Sequence, residues 1–209
     1  MIQRFVFLFS LLLPVMAYGA DAVPNQSLLN GMQARAASVV SIRSNFIEEK
    51  HLKMFDSVLV SKGVFAFRRP DSLRWEYTSP FRSGFLLSGG NGVEWDDTSD
   101  AVREVSVHSS PLVAMIARQI MAWTTFDISW LEERYLICQV SAHPLVLELH
   151  PRSELAKEFL ANLVITFAED GVVLHSLELH ETDGDFTRIS FDQPQLNTSL
   201  PDTTFTAVQ

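Results

Sequence analysis

Acid–base or metal chemistry needs carboxylates, imidazoles or thiols held together, and this chain offers few such combinations. Glu48-Glu49 and Asp96-Asp97 are adjacent carboxylates, the residue type that does general acid–base work. Neighbours on a strand point to opposite faces, so both pairs read as solvated charge. His175 and His180 are five residues apart, which puts them on opposite faces of one strand and prevents shared chelation. His108 reads as a loop residue. Cys138 is the one cysteine. It excludes an internal disulfide and a multi-cysteine metal site, and with Leu136 and Val140 beside it, it reads as an inert buried thiol. There is no Gly-x-Ser-x-Gly elbow, phosphate loop or dinucleotide fingerprint. The expectation is a protein that is not an enzyme, with no catalytic residues, cofactor or metal.

What the other residues build is a different matter. Arg4 followed by the apolar run Phe5 to Met16, broken only by Ser10 and Pro14, has the form of a cleavable secretory signal. Small residues place cleavage after Gly19 or Ala22, so residues 1–22 are a predicted leader and 23–209 the mature domain. The run is too short and interrupted to span a membrane, and no cysteine near the cleavage frames offers a lipid anchor. The mature chain is expected to be soluble and outside the cytoplasm. Hydrophobic residues make up 47%, which excludes a disordered chain. Without Arg4, 15 basic residues face 25 acidic ones, a net charge of −10. Nucleic acid is therefore a poor partner, whereas a basic partner could be steered onto this surface.

Two segments carry helical patterns. Asn25 can cap a helix bearing Leu28, Leu29, Met32, Ala36, Val39 and Val40 at three- and four-residue spacings. Ser110-Pro111 opens a second helix, in which only Arg118 and Gln119 are polar between Leu112 and Trp123. A helix lying on a sheet with its back to water would show a polar stripe. This one is either sunk in a core or inserted in a cavity.

Most of the remaining chain alternates with period two. Trp75 and Tyr77, Val93 and Trp95, Val105 and Val107, Phe126, Ile128 and Trp130, Leu145 to Leu149, Leu163 to Phe167, and Leu177 and Leu179 each form apolar rows. Asp170-Gly171 and Asp183-Gly184 supply hairpin turns. The pattern predicts a mostly antiparallel sheet of about ten strands. Two short helices cannot cover so large an apolar face, and a flat sheet would expose its edges. The sheet should curl into a barrel or half-barrel with the apolar helix at its mouth or inside. Such a concavity is a place for an apolar ligand, unless the protein's own side chains fill it.

The stretch Gly63 to Pro80, containing Phe65-Ala66-Phe67-Arg68-Arg69-Pro70 and Leu73-Arg74-Trp75-Glu76-Tyr77, resembles the periplasmic outer-membrane lipoprotein carriers, the LolA-like family. Ser44-Asn45-Phe46, Leu87 to Trp95, Met115-Ile116-Ala117-Arg118, and the segment from Ile189-Ser190-Phe191 to Leu200-Pro201-Asp202-Thr203-Thr204-Phe205 extend the likeness over nearly the whole mature chain. The resemblance implies a mostly β, single-domain incomplete antiparallel barrel of ten to eleven strands, with an apolar cavity and a helical lid. It implies a monomeric periplasmic carrier that moves acylated lipoprotein between an inner-membrane release complex and an outer-membrane acceptor. Arg69 would hold the lid shut through helix carbonyls, using the fixed fork of donors on a guanidinium. Leu73 falls where the family carries an exposed apolar residue near the rim, a partner contact. Phe65, Phe67, Trp75, Tyr77, Trp95, Met115, Ile116, Ile120 and Met121 are the expected cavity lining.

Two features depart from the family's pattern. Carriers usually continue through a Pro-rich turn into a further strand where this chain stops at Gln209, and the lid is richer in Met and bulky residues. They leave open a specialised carrier of a glycolipid or other acylated molecule. A lipoprotein-sensing interaction domain is a further alternative, expected to carry an additional signalling domain.

Overall fold

The structure, a computed structural model, describes residues 25–97, 101–169, 171 and 173–206. The expected leader and both cleavage frames lie outside these residues, as does Asp170 of the Asp170-Gly171 turn.

Eleven strands form one antiparallel sheet. A first meander contains β1 (Ser41–His51), β2 (Leu59–Arg68), β3 (Ser72–Ser79), β4 (Ser83–Ser88), β5 (Asn91–Asp96) and β6 (Ala101–Ser106). A second contains β7 (Tyr135–Ala142), β8 (Leu145–Pro151), β9 (Leu160–Phe167), β10 (Leu174–Glu181) and β11 (Phe186–Leu196). The spatial order β6-β5-β4-β3-β2-β1-β11-β10-β9-β8-β7 joins the meanders at a β1–β11 seam, where Phe46 pairs with Phe191. β6 and β7 remain as edges, so the sheet does not close. The alternation predicts the mostly β antiparallel sheet, and of the barrel and half-barrel it allows, the structure has the unclosed one that the family resemblance implies.

The apolar rows meet on the inner face. One row runs Phe65–Trp75–Phe85 across β2, β3 and β4, and another runs Leu147–Ile165–Leu177–Ile189 across β8 to β11. Gly63 makes the first side possible. A Cβ there would sit 2.2 Å from the Phe46 ring and 2.2 Å from the Glu76 carbonyl. With only hydrogen at Gly63, the Phe46 ring lies across β2 and packs 4.6 Å from Trp75.

Helix α1 (Gln26–Ala37) begins as predicted, with the Asn25 side chain accepting the N–H groups of Ser27 and Leu28. Leu29, Met32 and Ala36 are buried. Val39 and Val40 lie beyond the helix, Val39 buried and Val40 exposed. Helix α2 (Pro111–Thr124) has Ser110 as its cap, accepting from Val113 N–H at 3.3 Å.

Residues 126–130 correct the sequence reading. The expected strand with Phe126, Ile128 and Trp130 is instead helix α3 (Ile128–Arg134). Five residues of alternation also fit a helix entry, and Asp127 decides between them. Its Oδ1 accepts from Trp130 N–H at 3.2 Å, capping the helix, and Ile128 and Leu131 then bury one turn apart. Phe126 turns the chain between α2 and α3 with φ of +49°. Its ring packs edge-on against Phe167 at 5.0 Å.

The topology sets the helices' place. α2 and α3 connect β6 to β7, the two edges of the sheet, so the chain must cross the open side to join them. The outer face has its own cover. Residues 197–206, including a 3₁₀ turn (Asp202–Phe205), run over β1, β2 and β3. Ser41 hydroxyl donates to the Thr198 carbonyl, and the Arg68 and Arg74 guanidinium groups donate to the Leu200 and Thr204 carbonyls. Ala66, Leu200 and Phe205 form a small buried cluster beneath it.

Candidate functional site: a lidded apolar cavity

Every second residue of β3, β4, β5 and β6 faces inward. Register places Trp75, Phe85, Glu94 and Arg103 in one row, and Tyr77, Ser83 and Asp96 in the next. Above them α2 lays Val113, Ile116 and Ile120, a stripe at helical spacing. Between these elements lies a cavity of about 540 Å³, open on one side. Its inner walls are apolar, with Trp75, Phe85 and Val105 from the sheet as floor and Val113 and Ile120 from α2 as roof. Its mouth is polar, with Arg103, Glu94, Asp96 and Ser83. Arg103 Nη1 lies 3.6 Å from Glu94 Oε1, and both side chains are solvent-exposed, at 72% and 46%. An ion pair this open and long contributes little to stability.

A second chamber of about 30 Å³ lies deeper, lined by Ile42, Phe65, Trp123, Leu177 and Phe191 among others. Trp75 and Ile120 belong to the walls of both spaces, so these two side chains form the partition.

Tyr77 marks the polar side of the wall. Its hydroxyl donates to Glu48 Oε2 at 2.6 Å. Burial and the neighbouring Glu48 carboxylate push the Tyr77 phenol well above its ordinary range. Burial also raises Tyr135, against a smaller opposing pull from Arg134. Glu48 is therefore more than the solvated charge expected from its sequence context. Glu49 lies 3.9 Å from Arg188. Asp96 borders the cavity and Asp97 is exposed outside it.

Of the expected lining residues, Trp75, Tyr77, Ile116 and Ile120 come together at the cavity, and Phe65 lines the second chamber. Phe67 is 1% exposed and packed in the core, lining neither space. Met121 packs against the core and also lines neither. Met115 is 55% exposed and lies away from the cavity, on the far side of α2. An almost wholly apolar helix carries no stripe to show which side faces in. Trp95 borders the cavity, but its register partners Gly84 and Glu76 put its side chain on the outer face. There its ring crosses Gly84, and the Arg74 guanidinium lies 5.1 Å from its centroid.

Leu73 is 0% exposed, between Phe67 and Leu87. The expectation of a rim contact gives way to a core residue, because its inward-facing register carries it under the helices. Cys138 is half-buried, and its neighbours Leu136 and Val140 are exposed. The expected buried thiol thus sits on the outward-facing side of an edge strand.

Arg69 donates from Nε to the Val39 carbonyl at 2.8 Å and from Nη2 to the Ala36 carbonyl at 3.2 Å. Ala36 is in the last turn of α1 and Val39 follows the helix, so neither carbonyl belongs to α2. Val113, Phe85, Val105, Glu94 and Arg103 join the lining without having been expected there. The available signal was cross-strand: each of the β4 and β5 residues shares a register row with Trp75. Among the described residues no cluster of three or more His, Cys, Asp or Glu side chains could hold a metal ion. No helix among them is long and apolar enough to cross a membrane.

Comparison with known proteins places this geometry. A curated outer-membrane lipoprotein carrier protein from Pseudoalteromonas translucida (strain TAC 125) is 22% identical over 178 residues, covering 83% of this chain and 79% of the relative. Among solved structures, an uncharacterized conserved protein from Thermus thermophilus is similar in fold, with a TM-score of 0.51 at 6% identity, over 86% of this chain and 91% of that one. A crystal structure of MucB gives a TM-score of 0.51 at 14% identity, over 89% of this chain and 65% of MucB. The family model described as "Outer membrane lipoprotein carrier protein LolA" matches residues 37–208, and with that span the chain belongs to the family of outer membrane lipoprotein carrier proteins.

Proposed function

We propose that this protein is a soluble periplasmic carrier that shelters the acyl part of a lipoprotein or related lipid and moves it from the inner to the outer membrane. Family membership over residues 37–208 supports the carrier class. The observation that carries the reading is the cavity of about 540 Å³ under α2, with its apolar floor. Taking an acyl chain out of a bilayer costs about 0.8 kcal/mol per methylene, and apolar walls offset that cost. Release requires the reverse step, so the cover must move. α2 is suited to this because Met115 and Ile116 are already solvent-exposed. α1 also buries Leu29, Met32 and Ala36 in the core of the inner face, so Arg69, which holds the chain at its end, biases the closed arrangement of the helices, and cargo biases the open one. Donor and acceptor are an inner-membrane release complex and an outer-membrane acceptor.

The test has two arms. Mass spectrometry of the protein purified from its own periplasm is expected to find an acylated molecule bound to it. A fluorescent acyl probe is expected to bind the delipidated protein and to leave Arg69→Leu several-fold more slowly than wild type. Absence of both a bound lipid and probe binding would sink the carrier reading. Identical release rates would remove Arg69 from lid control.

A further inference from the structure

We propose that the β1–β2 hairpin is a wedge that enters the surface of a bilayer containing anionic lipid and sets the cavity mouth against it. The inference concerns where the protein docks rather than what it carries, and it applies to the empty chain. Residues 53–60 are exposed without a break, and five of these eight are large and apolar: Met54, Phe55, Val58, Leu59 and Val60. Single exposed apolar side chains are ordinary on a protein surface. Five on one hairpin form the kind of patch that a partner or a membrane covers.

Geometry favours the membrane. β3 pairs with β2 only as far as Ser79–Lys62, so Leu59, Val60 and Ser61 run past the neighbouring strand. Leu59 and Val60 point to opposite faces, and both are exposed, at 50% and 47%. A flat protein surface covers one face of such a projection, whereas a fluid bilayer surrounds both. The hairpin is also anchored. Lys53 donates from its backbone N–H to Asp185 Oδ1 at 2.8 Å and from Nζ to the Asp183 carbonyl. Thr182, at the start of the same β10–β11 turn, donates to the Phe159 and Glu158 carbonyls, and Phe159 is exposed. The hairpin, this turn and the β8–β9 connection thus form one continuous rim.

Charge selects the lipid. Three of the chain's four lysines, Lys50, Lys53 and Lys62, fall within residues 50–62, where Asp56 is the one acidic residue. The segment carries +2 in a chain of −9. Asp183 and Asp185 sit against Lys53, while Lys50 and Lys62 flank the apolar tip in sequence. Anionic headgroups suit these ammonium groups, and the interface below takes up Met54 and Phe55. Strand register puts the hairpin at the same end of the sheet as Ser83 and Asp96 of the mouth. Docking therefore turns the mouth toward the membrane.

The experiment uses residues 23–209, which contain every described element, so that the apolar run of residues 5–16 cannot itself hold a membrane. Co-sedimentation is measured with vesicles of phosphatidylcholine alone and with one quarter phosphatidylglycerol. The expected result is binding to the anionic vesicles, several-fold weaker to the neutral ones and weakened by salt. Phe55→Asp and, independently, Met54→Asp are expected to weaken binding about ten-fold, with the circular dichroism spectrum and Tm unchanged. Lys50→Gln combined with Lys62→Gln is expected to remove most of the preference for phosphatidylglycerol. Val140→Asp, an equally exposed apolar position on β7, is expected to change nothing. Failure of the wild type to bind either vesicle would overturn the inference, as would binding that all the hairpin variants retain. Photo-crosslinking from position 55 to a protein, with no vesicle binding, would assign the hairpin to a protein partner and overturn it equally. Acyl-probe binding in solution is read separately. Its loss would sink the carrier reading without touching the docking result, and its persistence without vesicle binding would do the converse.

Discussion

Tyr77 and Glu48 show how one hydrogen bond ties the cavity wall to the centre of the sheet. The phenol of β3 reaches the carboxylate of β1 across β2 at 2.6 Å. Tyr77→Phe leaves a half-buried carboxylate without its donor and is expected to cost about 1–2 kcal/mol of stability, read from urea unfolding at neutral pH. Ionisation adds a sign that can be checked. Tyr77 is raised in the folded state from its ordinary value of 10.0, so the folded protein keeps a proton that the unfolded chain releases. The stabilising term is fully present below pH 10 and is lost as pH rises past it. Wild type should therefore lose stability through the alkaline range more steeply than Tyr77→Phe. Tyr135 carries the same sign from burial and contributes to the decline the variant retains. At this scale the sequence was readable where a residue's face follows from local alternation, as for Trp75 and Tyr77. It was not readable for Trp95, whose outward face is set by its pairing with Gly84 across the β4–β5 hairpin and, through Gly84, by the row that continues to Glu76.

Helices α2 and α3 illustrate the same limit for whole elements. Ser110-Pro111 announced α2 because its capping chemistry is local. Which of its sides faces in was hidden, since a nearly all-apolar helix has no polar stripe to orient it. α3 was hidden behind a five-residue alternation, and its Asp127 cap was the overlooked signal. Asp127 caps α3 and also meets Arg118 of α2 at 2.5 Å. Asp127→Ala removes the cap and that ion pair together. It is expected to cost about 1 kcal/mol, mostly from the cap, because the Arg118 partner is half-exposed and screened. Asp127→Asn keeps the cap and should recover most of the loss, as measured by thermal unfolding. Gly63→Ala tests the sheet. Its methyl would meet the Phe46 ring and the Glu76 carbonyl, and an expected loss of about 1–3 kcal/mol should appear in denaturant midpoints.

For the molecule as a whole, strand alternation and the shortage of helix to cover it predicted a curled sheet, a barrel or half-barrel whose interior was left open between a cavity and packed side chains, and the family resemblance supplied the incomplete barrel with a cavity. The register that separates floor from mouth is a tertiary property and could not be read in advance. The connection from β6 to β7 spans the opening, so α2 belongs to the least protected part of the fold. Hydrogen exchange should open residues 113–124 well before the β1, β2 and β11 amides, and bound acyl probe should slow the floor strands more than α2.

The β1–β11 seam has a consequence for the chain's birth. All eleven residues of Ser41–His51 emerge early, yet their second partner, Phe186–Leu196, is among the last strands made. Until it arrives, the nascent first meander offers an open backbone edge to any other chain nearby. A polypeptide cut before Phe186 should therefore aggregate rather than linger as a half-sized monomer. A chain of this topology gains from holdase protection until its final strand has been delivered.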